Sequence, residues 1–208
     1  MASSQQTDQK AKDQAPGAQH ICLFGGTFDP IHLGHIHIAK AARDALGIDK
    51  VIFLPCRQSP HKTGVQHASE EDRLAMCRLA TAPYDWAEVN DHDLVTAPPC
   101  YSWRTAESMA GKFPQARLFW LMGTDQWQAL SEWNRPEHLA GLVEFIVFTR
   151  GDTPEPKPGY RLHPIPGNHP ASATAIRASA VKNLRTDWLA ADVTNYIHDH
   201  HLYQNERQ

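Results

Sequence analysis

Residues 21–39 read ICLFGGTFDPIHLGHIHIA, and the reading of this stretch decides the fold. Ile21-Cys22-Leu23-Phe24 is a short apolar run with the length and character of a buried parallel strand. Gly25-Gly26 then permits a tight turn and a close approach by a ligand. Asp29-Pro30 is a helix-start signal that predicts Asp29 as N-cap and Pro30 as the first helical residue. Behind it, Leu33, Ile36, Ala39, Ala42 and Leu46 recur at three- and four-residue spacing, the inward face of a helix. Strand, glycine turn and helix in this order aim backbone N–H groups and the positive end of a helix at one point, which is a seat for phosphate.

His32-Leu33-Gly34-His35 adds chemistry to that seat. Two imidazoles three residues apart share one face of the first helical turn, and Gly34 leaves no side chain between them to block a ligand. Imidazole donates hydrogen bonds and titrates near neutrality, so the pair can stabilise charge that builds on a phosphoryl group in transfer.

As a unit, residues 25–35 resemble the GG(T/S)FDPxHxGH motif of the HxGH-containing nucleotidyltransferases. These are Rossmann-like enzymes that transfer a nucleotidyl group without a covalent enzyme intermediate. The stretch is neither the dinucleotide fingerprint GxGxxG nor a Walker P-loop, which would end in Gly-Lys-Ser/Thr. The resemblance implies that Thr27 and the backbone of Gly25, Gly26 and Phe28 cradle phosphate. It also implies that His32 and His35 hold the ATP phosphates during transfer.

The bulk composition is compatible. A chain of 208 residues suits one nucleotidyltransferase domain over 20–208. Residues 1–19, rich in Gln, Ser, Ala, Asp and Lys, read as a disordered tail. A net charge of −3 gives no support to nucleic-acid binding, which would show a basic stripe. Cys22, Cys56, Cys77 and Cys100 are widely spaced with no CxxC, and they read as reduced thiols of a cytoplasmic protein. No run approaches ~20 apolar residues, so no membrane span is expected, and the N-terminus lacks an apolar signal core. Thirteen histidines invite a metal reading. However, His37 points away from the face shared by His32 and His35, and no HExxH or carboxylate triad completes a site. No metal site is expected, and His198, His200 and His201 are expected to face solvent.

Further along, Lys50–Leu54 is a second buried strand that completes a βαβ unit. The loop after it, Pro55 to Lys62, lies at the strand's C-terminal edge, where doubly wound sheets bind ligands. It resembles the LPxxxPPHK element of the nicotinate mononucleotide branch, with Ser59 replacing one proline; the resemblance places Lys62 near a substrate phosphate. Ser69 and Asp72 form a capping box ahead of a helix over 69–81. Trp86–Val89 and Asp93–Val95 suggest short strands. Tyr101, Ser102 and Thr105 keep the outline of the branch's PSYTxxTL at the start of a helix running to about Gly111.

Arg117–Met122 is a third buried strand, ending in Gly123-Thr124-Asp125. A carboxylate after a glycine at a strand end offers two acceptors to ribose hydroxyls, and Asp125 could equally cap the next helix. The spacing from Asp125 to Trp133 matches the branch's GxDxLxxxxxW pattern, which implies that Trp133 stacks on a pyridine ring. Val143–Phe148 is the fourth strand. Thr149–Pro170, with six prolines and three glycines, reads as a mobile loop with at most one strand near Arg161–Ile165.

Ala171–Arg177 resembles the superfamily's second signature, I-S-(S/A)-T-x-I-R, with Ala171 at the usual Ile. Ser172 and Thr174 can cap the following helix, and Arg177 offers a forked cation to triphosphate oxygens. The remainder, Ala180–Tyr203, reads as one or two small helices closing in a YIxxxxLY-like pattern.

The fold expected is α/β, a Rossmann-like doubly wound parallel sheet of about five strands with a C-terminal helical extension. The resemblance implies adenylyl transfer from ATP, carried with Mg²⁺, to nicotinate mononucleotide, giving deamido-NAD and pyrophosphate. His32, His35 and Arg177 would be catalytic. Gly25, Gly26, Thr27, Phe28, Gly123, Asp125, Ser172 and Thr174 would bind ATP, and Lys62, Tyr101, Ser102 and Trp133 the second substrate. Rival readings are a pantetheine-phosphate adenylyltransferase, a catalytically silent nucleotide-binding module and a His-rich metal-dependent hydrolase. Nicotinate and nicotinamide both stay open at this level, because the choice turns on a carboxylate against an amide.

Overall fold

In a computed structural model, residues 17–57, 68–149, 151, 153–180 and 184–204 are described. Six strands form one sheet: β1 (His20–Gly26), β2 (Lys50–Pro55), β3 (Ala87–Val89), β4 (Arg117–Gly123), β5 (Glu144–Thr149) and β6 (Leu162–Pro166). Their order is β3-β2-β1-β4-β5-β6 and every pairing is parallel. The helices are α1 (Leu33–Leu46), α2 (Glu70–Thr81), α3 (His92–Val95), α4 (Ser102–Lys112), α5 (Thr124–Gln128), α6 (Pro136–Ala140), α7 (Ala173–Ala180) and α8 (Ala191–Asp199).

Both faces of the sheet are covered, which is why its strands are apolar runs rather than alternating ones. Successive residues point to opposite sides. Phe24, Phe53, Leu121 and Ile146 pack with Ile36 and Ala39 of α1, Met76 of α2, Ile176 of α7 and Val193 and Ile197 of α8. Leu23, Ile52, Trp120 and Phe145 pack on the other face with Met109 of α4, Trp127 of α5 and Leu139 of α6. The strand order reverses between β1 and β4, and such a switch point opens a crevice at the C-terminal strand ends. Gly25-Gly26 and Gly123 end those two strands.

The predicted strands over Ile21–Phe24, Lys50–Leu54, Arg117–Met122 and Val143–Phe148 all appear, within two residues at each end. The one strand expected in the proline-rich loop is β6, which brings the sheet to six. Ser69 caps α2, its hydroxyl accepting from Asp72 N–H at 3.0 Å while donating to the Asp72 carboxylate at 2.7 Å.

Two local readings are corrected. Asp29 is not a helix cap: α1 begins at Leu33, with His32 as its N-cap. Asp29 is only 7% exposed. Its carboxylate accepts a hydrogen bond from the Tyr203 hydroxyl at 2.7 Å, and it lies three residues ahead of the N-cap position. Asp93–Val95 is a helical turn rather than a strand. Asn90 Oδ1 accepts from His92 N–H at 3.0 Å, which starts a turn, and Asp93 is buried against the Thr105 hydroxyl at 2.6 Å.

Candidate active site

The turn between β1 and α1 is built around packed rings. A Cβ at Gly26 would lie 3.0 Å from the Phe28 ring, which packs edge-on against Phe24 and His35 at centroid distances of 5.4 and 5.0 Å. His32 and His35 stack on each other at 3.7 Å. His35 Nδ1 accepts from the His32 backbone N–H at 3.2 Å, so the proton of a neutral His35 ring sits on Nε2. Gly34 is required by close packing: a Cβ there would stand 2.9 Å from His32 Nδ1 and 3.1 Å from His169 Nδ1. The space the glycine leaves is filled by imidazoles.

Arg177 comes to the same turn from α7. Its Nη1 donates to the Asp29 carbonyl at 2.6 Å, and Nη2 lies 3.4 Å from Thr174 Oγ1. Nε is buried with no acceptor among the described residues. Arg177 is thus aimed at the histidine turn with donor capacity remaining. Ser172 and Thr174 are exposed at the start of α7, and Ser172 Oγ accepts only a long 3.5 Å contact from Ala175 N–H.

Gly123, Thr124 and Asp125, with Ile38 and Phe148, line a cleft of about 380 Å³. A Cβ at Gly123 would meet Asp125 Oδ1 at 2.8 Å, so this glycine makes room for the carboxylate. The cleft borders the histidine turn. Phe148 in its wall packs edge-on to His37 at 6.0 Å, and His37 lies 5.4 Å from His169, the neighbour of Gly34.

On the opposite face, a Cβ at Gly25 would lie 3.3 Å from the Trp120 ring, and Trp120 contacts Trp133 edge-on at 6.3 Å. Trp133 is half-buried, and its Nε1 has no acceptor among the described residues. Trp103 Nε1 donates to Asn134 Oδ1 at 2.9 Å, tying the start of α4, where Tyr101 and Ser102 are half-buried, to the turn holding Trp133. Lys62 lies outside the described residues. Among the described residues, no group of three His, Cys, Asp or Glu is arranged to hold a metal ion.

Arg73 and His169 escaped the sequence reading, and Tyr203 was read there only as part of the closing pattern. Arg73 is 3% exposed and donates to the carbonyls of Thr27 and Cys56 at 2.7 Å and of Arg57 at 3.0 Å, joining the glycine turn to the loop after β2. Beside it, burial pushes the Cys56 thiol up, although the Thr27 hydroxyl opposes this. His169 accepts from Ala171 N–H at 3.1 Å on Nδ1 and flanks Gly34. Tyr203 reaches Asp29. Arg73 sits on a helix of charged residues and gives no local signal. His169 stands beside the motif at Ala171–Arg177, and Tyr203 is the last residue of the closing YIxxxxLY pattern, which carried no role for its hydroxyl.

The sequence matches the cytidylyltransferase-like family over residues 23–179. It is 39% identical over 199 residues to a protein of Neisseria meningitidis serogroup C named "Probable nicotinate-nucleotide adenylyltransferase", covering 88% of this chain and 98% of that one. A protein of the same name from Methylacidiphilum infernorum is 36% identical over 187 residues, covering 88% and 91%. The fold is similar to that of Plasmodium falciparum nicotinic acid mononucleotide adenylyltransferase complexed with NaAD. The TM-score is 0.70 at 17% identity, covering 89% of this chain and 97% of that one. A parallel sheet with the switch point at a histidine-bearing glycine turn, and relatives matched along nearly their whole length, have one consequence: the chain belongs to the nicotinate-nucleotide adenylyltransferase family of cytidylyltransferase-like enzymes.

Proposed function

We propose that this enzyme joins the phosphate of nicotinate mononucleotide to the α-phosphorus of ATP. A phosphate oxygen of the mononucleotide attacks in line, the bond from α-phosphorus to the bridging β-oxygen breaks, and pyrophosphate leaves with deamido-NAD as the other product. No side-chain nucleophile is needed, because positioning and charge neutralisation carry most of phosphoryl transfer.

In this scheme the adenosine occupies the cleft at Gly123 and Asp125, with the carboxylate accepting from ribose hydroxyls. The triphosphate passes over the Gly25–Phe28 backbone and Thr27 toward the start of α7. His35 Nε2–H and His32 donate to the oxygens on which charge builds. Arg177, with Ser172 and Thr174, takes the departing β- and γ-phosphates. Tyr101, Ser102 and Trp133 frame the pyridine ring of the second substrate, and Lys62 meets its phosphate. Mg²⁺ arrives on the triphosphate as part of that substrate.

The observation that carries this reading is the meeting at one turn of the histidine pair and Arg177, bridged at Asp29 by a 2.6 Å hydrogen bond. Four free cysteines support a reducing compartment, which we take to be the cytoplasm, and no described helix is long and apolar enough to cross a membrane. The test is pyrophosphate release from ATP with nicotinate mononucleotide, nicotinamide mononucleotide and phosphopantetheine offered separately. Turnover is expected with nicotinate mononucleotide. Release with phosphopantetheine alone would replace this reading with that of the sibling enzyme.

A further inference from the structure

The turn that carries the histidines is strained. Phe28 has a φ of +49°, a left-handed conformation that is rare for a bulky side chain and persists only where its surroundings over-determine it. Here the surroundings are three side chains from distant segments. Arg73 of α2 holds the Thr27 carbonyl on one side of Phe28, and Arg177 of α7 holds the Asp29 carbonyl on the other. The third is Tyr203, beyond α8, whose hydroxyl donates to Asp29 Oδ1 at 2.7 Å across a sequence separation of 174 residues.

Tyr203 is built for this contact. Its ring is partly buried and packs on the same core as Ile176 and Ile197. Burial, followed by the charge of Asp29, pushes its hydroxyl well above the usual phenol range, so it remains a donor at any working pH. Asp29 for its part is a nearly buried carboxylate, which needs a donor to offset the loss of water.

We propose that Tyr203 is a positioning residue for adenylyl transfer: by holding the Asp29 carboxylate it fixes the Phe28–His32 turn, and with it the placement of His32 and His35 against the triphosphate. The inference rests on the adenylyl-transfer reading above. Removing the hydroxyl loosens the turn but leaves the adenosine cleft in place, since four of its five lining residues, Gly123, Thr124, Asp125 and Phe148, stand at the ends of β4 and β5 and the start of α5. ATP therefore still binds, while the histidines lose their aim.

The test is Tyr203→Phe in the full chain. Rates of pyrophosphate release are expressed per site, with sites counted by calorimetric titration with a non-hydrolysable ATP analogue. The expected result is a kcat about 10- to 100-fold lower, with KM for ATP within about threefold. Amide exchange should accelerate across residues 26–35 and stay unchanged in β5. Asp29→Ala, which removes the acceptor of the Tyr203 hydroxyl, should behave alike, and the double variant should be no slower than the slower single one. Wild-type kcat in Tyr203→Phe, a loss of rate matched by a loss of binding sites, or additive losses in the double variant would each overturn the proposal. A wild-type enzyme silent with every acceptor would instead overturn adenylyl transfer, and the exchange at 26–35 would still decide whether Tyr203 holds the turn.

Discussion

Arg177 Nη1 and the Asp29 carbonyl oxygen lie 2.6 Å apart, although 148 residues separate them in the chain. The bond joins the second signature to the first and places a guanidinium at the mouth of the histidine turn. Arg177→Ala should therefore raise KM for ATP by about tenfold or more, since a charge-assisted contact to phosphate is lost. Arg177→Lys should recover only part of this, because an ammonium cannot hold Asp29 and a phosphate at once through a fork. Initial-rate measurements at varied ATP check both; an unchanged KM would remove Arg177 from triphosphate binding.

His35→Ala should lower kcat by ~10²-fold or more, as loss of a preorganised donor to a transition-state oxyanion does. The Nδ1 of His35 is occupied by the His32 backbone N–H, so the donor lost is Nε2–H. His35→Asn, which keeps an acceptor near the Nδ1 position, should hold the fold better than the alanine variant while remaining slow. Circular dichroism beside single-turnover rates separates the two effects.

Gly34→Ala tests the packing of the imidazoles. The added methyl would meet His32 and His169 at 2.9 and 3.1 Å, so at least one ring must shift. Overpacking of this kind costs about 1–3 kcal/mol, and a displaced catalytic ring can cost about 10²-fold in rate. Activity should therefore fall further than the change in thermal midpoint implies. His169→Ala in the Gly34→Ala background should restore part of the rate by removing one of the two clashes.

What the sequence made legible follows from the range of the interactions involved. The strands at Ile21, Lys50, Arg117 and Val143 are buried on both faces, so each announces itself as an apolar run, and the glycines that end β1 and β4 mark the crevice. Asp29 was misread because Asp-Pro is a helix-start signal only while the carboxylate is free to cap. Tyr203 claims that carboxylate from the far end of the chain, and nothing within ten residues of Asp29 reports it. Asp93 was misread for a similar reason, its burial against Thr105 being tertiary. Arg73 carried no signal at all, because an arginine amid glutamates on a helix reads as a solvated face. Its three carbonyl partners belong to a turn and a loop brought together only by the sheet.

Acid stability should be governed at the other end of the sheet, by Glu144 at the start of β5. Its carboxylate is essentially buried, and hydrogen bonds reach it from Arg117 at 2.5 and 2.8 Å and from His163 at 2.6 Å, with Arg161 at 3.3 Å. Burial alone would raise its pKa, but the His163 and Arg117 hydrogen bonds and the Arg161 charge outweigh it and hold the group down to about 2. A folded-state pKa below the unfolded value means that the unfolded chain binds the proton first as pH falls. The stabilisation is then complete above the unfolded value, near 4.5, and lost on descending through about 2. Its size is on the order of 3 kcal/mol. Glu144→Gln should lower stability at neutral pH by up to a comparable amount, since it leaves the half-buried guanidinium groups of Arg117 and Arg161 facing a neutral amide. It should also flatten the dependence between about pH 4.5 and 2. Urea midpoints measured across that window check this, and equal slopes in wild type and variant would assign the acid transition to other carboxylates. Because Glu144 sits at the N-terminal end of β5, at the opposite strand ends from Gly25 and Gly123, kcat per folded enzyme at pH 7 should be unchanged by the substitution, which separates the stabilising cluster from the catalytic one.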